Sequence, residues 1–301
     1  MIEQLPLDYY APGPGWLFCR NHWRDDATVV LLQLGTCDSP GHGHREAGSF
    51  QIFRNGWLSK EATGYRDDPS TGSGVFMPDH HNCLLVDGKG PVDASKAVGQ
   101  PIVLRLQSHA DFSYCAVNLT STYRVRPEEI RDDHPDNPEA VKVQREFVFV
   151  RALETLVILD RIETIEPSTE RTWLFHSRER WGSGRALNVK TLLPENGYRV
   201  AMEVNPELPE DSPYRGWRLE AIDSKNTQGV FLSVLPCREP GAADLEIQFS
   251  EDSMYWRVTL NSEVSRLGFS KQNDVSGYFE ETTFRQDVQP MVADQSGVRW
   301  V

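Results

Sequence analysis

Apolar and polar residues alternate along much of this chain with the two-residue period of β-strands. The clearest case is residues 141–151, where Val141, Val143, Phe147 and Phe149 fall on one face of an extended chain. This alternation is typical of a strand that buries one face in a sheet. Similar segments, bounded by Gly, Pro, Asn, Asp and Ser, predict strands at residues 16–20, 28–34, 48–54, 57 onward, 83–88, 102–107, 112–119, 122–126, 155–162, 171–176, 188–193, 198–204, 217–222, 229–235, 245–249, 254–260 and 278–283.

These strands predict an all-β protein, because no segment keeps a 3.6-residue period over three turns and no internal repeat is present. We expect many antiparallel strands in stacked sheets, as in β-sandwiches. A main sandwich is predicted over residues 1–204 and a C-terminal β portion over residues 214–301, packed in the same unit. Residues 8–15 are predicted to be rich in turns, and the polar run 126–139 to hold at most one short helical turn.

The pair Asn55-Gly56 predicts a two-residue hairpin turn, because both of its central positions favour φ > 0. This turn would pair Arg54 with Trp57 and, counted outward, Phe50 with Glu61. In an unbroken pleat His44 would share their face but lie roughly 20 Å from Phe50's partner. Contact between His44 and Glu61 therefore requires a bend, which the glycines around His44 permit.

Composition excludes two classes of partner. The chain has 301 residues and a formal net charge of −13, and no basic cluster offsets that charge locally, so we expect no binding of nucleic acid. No apolar run approaches the roughly 18 residues of a membrane span, and we expect no membrane partner. The first residues show neither the charged nor the apolar region of a signal peptide.

The five cysteines are dispersed and odd in number, without any C-x-x-C spacing. They are predicted to be buried small hydrophobes rather than a disulfide framework or a zinc knuckle. Cys37 and Cys83 lie nearest to histidines in the sequence and are the two with a conceivable metal role.

The densest chemistry lies in residues 41–50, which bring together two imidazoles, a carboxylate and three glycines. His42 and His44 would project to one side of an extended chain, and neutral imidazole binds zinc. A second pair, His80-His81, follows a loop-like segment and enters an apolar strand. The alternative for His42 and His44 is a pair of loop histidines that hydrogen-bond to the backbone, and the alternative for His81 is a histidine that caps the strand it enters.

Several short segments follow one another along the chain: Arg20-Asn21-His22-Trp23, residues 28–35, residues 41–50, Asn55-Gly56-Trp57-Leu58, Glu61 with Gly64-Tyr65, and residues 81–88. Their order resembles the β-sheet domain of heparinase II/III-like polysaccharide lyases. The resemblance is strongest over about the first 90 residues and continues more weakly through residues 145–161 and 173–176.

The resemblance implies three kinds of site residue. They are a catalytic residue that faces the substrate (His42), substrate-binding residues (Arg45 and Tyr65), and the ligands of a structural zinc ion (His44, Glu61 and His81). Glu46 and Glu61 both stand where the family usually has aspartate, and glutamate also ligates zinc. His80 is a rival to His81, and Tyr65 has the alternative role of closing a turn.

The activity implied is β-elimination in a polysaccharide that contains uronic acid. A base removes the proton α to the carboxylate, an acid protonates the leaving oxygen, and nearby groups stabilise the enediolate. In the family the tyrosine acid comes from an N-terminal α/α toroid, which these residues do not contain. The expected partners are an acidic polysaccharide or oligosaccharide and a toroid in the same chain or another. A periplasmic or secreted setting is implied.

Two alternatives remain. One is a non-catalytic carbohydrate-binding β-sandwich with a structural metal, in which some of the eight tryptophans stack on sugars. The other is a cupin-like metal enzyme with His-x-His and glutamate on a β-barrel. Its spacing fits less well, because Glu46 comes only two residues after His44.

Overall fold

The protein is all-β, as predicted. The computed structural model describes residues 4–36, 43–59, 76–132, 135–179, 187–195, 198–204, 206, 209, 215–238, 242, 244–261, 265–272, 275–280 and 282–284. The 3-10 turns that lie wholly within these ranges are Pro78–His80, Thr120–Tyr123 and Pro127–Glu129. The strands are β1 (Asp8–Ala11), β2 (Trp16–Arg20), β3 (Val29–Gln33), β4 (Phe50–Phe53), β5 (Trp57–Ser59), β6 (Leu84–Val86), β7 (Ile102–Ser108), β8 (Phe112–Asn118), β9 (Lys142–Val150), β10 (Thr155–Glu163), β11 (Arg171–Ser177), β12 (Lys190–Leu193), β13 (Tyr198–Val204), β14 (Gly216–Asp223), β15 (Gln228–Pro236), β16 (Ile247–Glu251), β17 (Tyr255–Leu260), β18 (Ser265–Ser270), β19 (Gly277–Phe279) and β20 (Thr282–Thr283).

The strands of the described ranges form four antiparallel sheets. The N-terminal sheet has the order β1-β2-β3-β4-β5, and the central sheet has the order β12-β15-β10-β9-β8-β7. A four-stranded sheet has the order β13-β14-β11-β6, and the C-terminal sheet runs β16-β17-β18-β19-β20. None of these strand orders closes into a barrel, which argues against the cupin-like alternative.

The central sheet is the middle of three layers. One of its faces packs on the N-terminal and four-stranded sheets around a core that includes Phe50, Phe147 and Trp173. The opposite face packs on the C-terminal sheet around a second core that includes Val148 and Phe269. Because successive side chains of a strand point to opposite faces, β9 contributes to both cores. The prediction that residues 141–151 bury one face is therefore wrong, since both faces of β9 are covered.

The strands on either side of residues 204–214 share sheets. β13 pairs with β14, and β12 pairs with β15. Strands before and after this segment therefore belong to the same sheets, and β16–β20 form the outer layer. The division into portions 1–204 and 214–301 stays a prediction. None of the helical segments in the described ranges has the length and apolar character needed to cross a bilayer.

The Asn55-Gly56 hairpin differs from prediction only at its tip. Both residues have positive φ, 49° and 144°. Phe53 rather than Arg54 pairs with Trp57, and a register shift follows, after which Ile52 lies opposite Ser59. That second pair is the one obtained by counting outward from the predicted turn. Glu61 lies outside the described residues, so its predicted pairing with Phe50 stays a prediction.

Three local predictions were wrong. The predicted strand at 122–126 begins instead within a 3-10 turn, because the Thr122 hydroxyl donates to the Leu119 carbonyl at 2.7 Å and closes the turn locally. The prediction of turns at 8–15 is confirmed for residues 12–15 and wrong for Asp8–Ala11, which form β1 and pair with β2. No strand was predicted at Ser265–Ser270, where β18 lies.

Candidate functional site

The loop that carries His44 joins β3 to β4, and two backbone hydrogen bonds hold its part next to β4. The Gly48 N–H donates to the Gln33 carbonyl at 2.8 Å, and the Arg45 N–H donates to the Phe76 carbonyl at 2.9 Å. Gly48 has φ of +83°, and a Cβ atom there would lie 2.4 Å from Leu119 Cδ1. The chain can turn into β4 at this point because the residue is glycine.

His81 belongs to a separate segment, which lies just before β6. The 3-10 turn Pro78–His80 ends at His81, whose backbone N–H donates to the Pro78 carbonyl at 3.1 Å. The chain is extended from His81 onward and enters β6. The His81 side chain is fully buried, whereas His44 is half-buried.

His44, Glu46 and His81 form a group that has the ligand types and spacing of a metal site. One candidate ligand atom from each residue lies within 4.8 Å of the others. His81 Nδ1 is 3.7 Å from Glu46 Oε2, and the rings of His44 and His81 are 5.1 Å apart at 59°. Ligands of a tetrahedral zinc ion are separated by about 3.4 Å, given metal–ligand distances near 2.1 Å. The donor set therefore fits zinc after a small inward shift.

Asn82 links the two histidine-bearing segments through its side chain. Its Nδ2 donates to the Phe50 carbonyl at 2.6 Å and to Ser59 Oγ at 2.8 Å. Its Oδ1 accepts from the backbone N–H of His176 at 2.6 Å and lies 3.2 Å from His176 Nδ1. Asn82 is completely buried, so these bonds hold in place the backbone that is adjacent to His81.

The Arg145 side chain contacts both the loop that carries His44 and the segment that carries His81. Its guanidinium pairs with Asp160, with Nε to Oδ1 at 2.6 Å, and both side chains are fully buried. Its Nη1 donates to the Gly48 carbonyl at 2.6 Å and to the Asn82 carbonyl at 2.7 Å. Burial raises the pKa of the Asp160 carboxyl, and the Arg145 charge opposes that rise.

The predicted site residues divide into two groups. The structure brings His44 and His81 together, and His80 does not join their group. His42, Glu61 and Tyr65 lie outside the described residues, so their roles stay predictions. Glu46, noted in the sequence only as standing where aspartate is usual, provides the carboxylate.

Arg45 lies on the same loop as His44, half-buried. Its charge acts on Asp93, whose pKa lies below its ordinary value. Burial raises that pKa, hydrogen bonds from Ser95 lower it, and the nearby Arg45 lowers it further. Arg45 is adjacent in sequence to His44, and its predicted contact with substrate stays a prediction.

The other candidate side chains behave as structural residues. His176 is buried and bonded to Asn82, as expected of a core histidine. The four described cysteines (Cys19, Cys83, Cys115 and Cys237) are free and buried, which confirms the prediction for them, while Cys37 is not described. Burial raises the pKa of the Cys237 thiol to about 12.

The positioning contacts of Asn82 and Arg145 were missed in the sequence. A signal was present, because Arg145-Glu146 and Asp160-Arg161 interrupt the apolar centres of two long strands. Charges are rarely buried unless they are paired, so these dipeptides indicate ion pairs between β9 and β10. They do not indicate which backbone groups the remaining donors reach.

Comparison with known proteins finds the same fold among polysaccharide lyases. The heparan sulfate lyase HepC from Pedobacter heparinus superimposes with a TM-score of 0.65 at 14% identity, covering 88% of this chain and 42% of the lyase. A heparinase III gene product gives the same TM-score, identity and coverage. A further heparinase III structure has a TM-score of 0.57 at 15% identity, with 85% and 41% covered.

These matches concern the fold alone. The chain spans less than half the length of each lyase. No protein-family model and no curated protein sequence matches the chain.

Proposed function

We propose that this chain is the β-sheet portion of a polysaccharide lyase that cleaves polysaccharides containing uronic acid by β-elimination. The observation that carries the proposal is the convergence of His44, Glu46 and His81 in a fold shared with lyases of heparan sulfate. The sequence motifs that resemble the heparinase II/III-like family fall on the same loop and turn. Both lines include His44 and His81, and they differ in the carboxylate, which is Glu46 in the described geometry and Glu61 in the resemblance.

His44 and His81 would hold a structural zinc ion together with a carboxylate. Structural zinc sites are usually closed by four protein ligands. Glu46 supplies one carboxylate in the described geometry, and Glu61, which the resemblance assigns to the metal, would supply the fourth ligand. Zinc bound there would tie the β3–β4 loop to the turn before β6. Its role would be to fix the loop that carries His42.

The substrate-facing residue is proposed to be His42, two residues before His44. A charged or hydrogen-bonding imidazole beside the uronate carboxylate would neutralise charge that grows as the α-proton leaves. Arg45 and Tyr65 would contact the acidic sugar. The local cations matter because the chain carries a net charge of −13, which otherwise repels a polyanion. The remaining acid and base groups would come from a helical toroid, in the same chain or another. The setting would be periplasmic or secreted.

The test uses the whole protein that contains this chain. We expect heparan sulfate or another uronate polysaccharide to give rising ultraviolet absorbance from unsaturated uronate, while neutral dextran gives none. The His42→Ala variant should lose most of this rate and keep its metal, because His42 is not a ligand in the proposal. Unchanged activity in that variant, or cleavage of dextran, would contradict the proposal.

The carbohydrate-binding alternative predicts that sugar binding depends on Trp57 rather than on His42. Among the tryptophans that the structure describes, Trp57 alone is largely exposed, at 46%, and it meets Phe53 edge to face at the β4–β5 tip. A binding module that stacks sugars there would lose affinity in Trp57→Ala and be unaffected by His42→Ala. Binding that depends on Trp57, without cleavage in any context, would favour this alternative.

A further inference from the structure

Two buried ion pairs lie side by side on β9 and β10 and face opposite cores. Arg145 pairs with Asp160 on the face that packs on the N-terminal and four-stranded sheets. Glu146 pairs with Arg161 on the face that packs on the C-terminal sheet, where Tyr114 also donates to Glu146 at 2.7 Å. The opposite directions follow from the alternation of side chains along a strand. The two pairs therefore share strands and burial but differ in what they contact.

Only the first of these pairs contacts the metal-binding segments. Arg145 Nη1 donates to the carbonyl of Gly48, two residues after Glu46, and to the carbonyl of Asn82, one residue after His81. A single nitrogen thus bonds both chain segments that meet in the candidate site. Asp160 holds Nε and Nη2 of the same guanidinium, at 2.6 and 3.2 Å. Because the guanidinium is planar and rigid, these two hydrogen bonds fix the direction of Nη1.

We propose that Arg145, oriented by Asp160, is a positioning residue for the metal site and sets the separation between the His44 loop and the His81 turn. This inference rests on the proposed function, which places metal between those segments. Outer groups that orient metal ligands typically change metal affinity by about 10–100-fold when removed. A buried ion pair is weak evidence of stabilisation by itself, because desolvation opposes the attraction. The carbonyl contacts give this pair a role that its neighbour lacks.

The experiment compares matched double variants, Arg145→Met/Asp160→Leu and Glu146→Leu/Arg161→Met. Each removes both members of a buried pair from the same two strands, and Glu146→Leu also removes a carboxylate that acts on the buried Arg105. Zinc affinity is measured by competition with a chromogenic chelator, and stability by urea unfolding of the apo protein. We expect the Arg145/Asp160 variant to bind zinc about 10–100-fold more weakly. The Glu146/Arg161 variant should stay within about threefold of wild type, whatever its loss of stability.

Isosteric variants decide the matter if either double variant fails to fold. Asp160→Asn weakens the grip on the guanidinium, and Glu146→Gln makes the same chemical change in the neighbouring pair. We expect weaker zinc binding only for Asp160→Asn, with Arg145→Lys also weakened because a lysine cannot bridge all three acceptors. Equal zinc affinity in Asp160→Asn and Glu146→Gln would overturn the inference. Absence of zinc binding by the wild-type protein would instead overturn the proposed function.

Discussion

Replacing Gly48 with alanine should strongly destabilise the protein through the loop that carries His44. The perturbation has two parts that the structure separates. Gly48 has φ of +83°, and a Cβ atom would lie 2.4 Å from Leu119 Cδ1. Leu119 is only 1% exposed, so it has little room to move. A left-handed conformation costs an alanine roughly 1–2 kcal/mol, and overpacking a core adds roughly 1–3 kcal/mol. The expected loss is therefore about 2–5 kcal/mol of unfolding free energy.

Two other glycines serve as matched controls. Gly88 has φ of +70° but nothing within 4 Å of its added Cβ, so Gly88→Ala measures the conformational cost alone. Gly13 has neither a positive φ nor a close neighbour, so Gly13→Ala should change stability by less than about 0.5 kcal/mol. Urea unfolding of the three variants should give the order Gly48, then Gly88, then Gly13, from most to least destabilised.

A double-mutant cycle isolates the clash. Leu119→Ala alone should cost roughly 2–5 kcal/mol because it opens a cavity. In the double variant with Gly48→Ala the new methyl group occupies part of that space. The loss of unfolding free energy in the double variant should thus be smaller, by about 1–3 kcal/mol, than the sum of the losses in the two single variants. Additive losses, or equal effects of Gly48→Ala and Gly88→Ala, would refute the argument that Leu119 is the obstacle.

Two further predictions concern single groups away from the site. The pKa of Asp252 is lowered to about 2 by hydrogen bonds from the backbone N–H groups of Met254 and Tyr255 and by the Arg257 guanidinium. We therefore expect Asp252→Ala to destabilise the protein near pH 6. Because the pKa of Asp252 is lower in the folded protein, the difference in unfolding free energy between variant and wild type should shrink as pH falls from about 4 towards 2. Urea unfolding at several pH values measures this difference, and a difference that does not change with pH would contradict the proposed cause. In a Cys37→Ser variant, Cys237 and the other described thiols should not react with a thiol reagent until urea unfolds the protein. The reason is that burial shields these thiols and raises the pKa of Cys237. Rapid labelling of the native protein would contradict this prediction, because it would show an exposed thiol.

Much of the architecture could be predicted from the sequence because strands leave a local pattern. Alternation and long apolar runs identified β9 and β10, and Asn55-Gly56 identified the β4–β5 hairpin. β18 left no such pattern. Its central Gly268 lies under Tyr278, where an added Cβ would come within 2.2 Å of the ring, so the strand has a glycine where alternation would show a side chain. A glycine of this kind reflects close packing with a distant residue, which the local sequence does not reveal.

The candidate site was predictable in its residue types and only partly in its partners. His44 and His81 could be chosen from motifs that resemble a known family. Their approach depends on bonds from Asn82 and Arg145 to backbone carbonyls, and a carbonyl has no residue-specific signature in the sequence. Glu46 is two residues after His44, so an extended chain would already put both side chains on one face. The sequence does not indicate that His81, from a distant segment, meets them there.

The central claim is that His44 and His81 bind one metal ion together. The direct measurement is elemental analysis of purified wild-type protein and of His44→Ala, His81→Ala and His109→Ala variants, after dialysis against buffer containing trace zinc. His109 is a suitable control because it is partly exposed and lies against Asp111, outside the metal group. We predict a single zinc ion per chain in wild type and His109→Ala, and loss of the metal in both other variants. Wild-type protein without stoichiometric metal, or undiminished zinc in His44→Ala and His81→Ala, would contradict the claim.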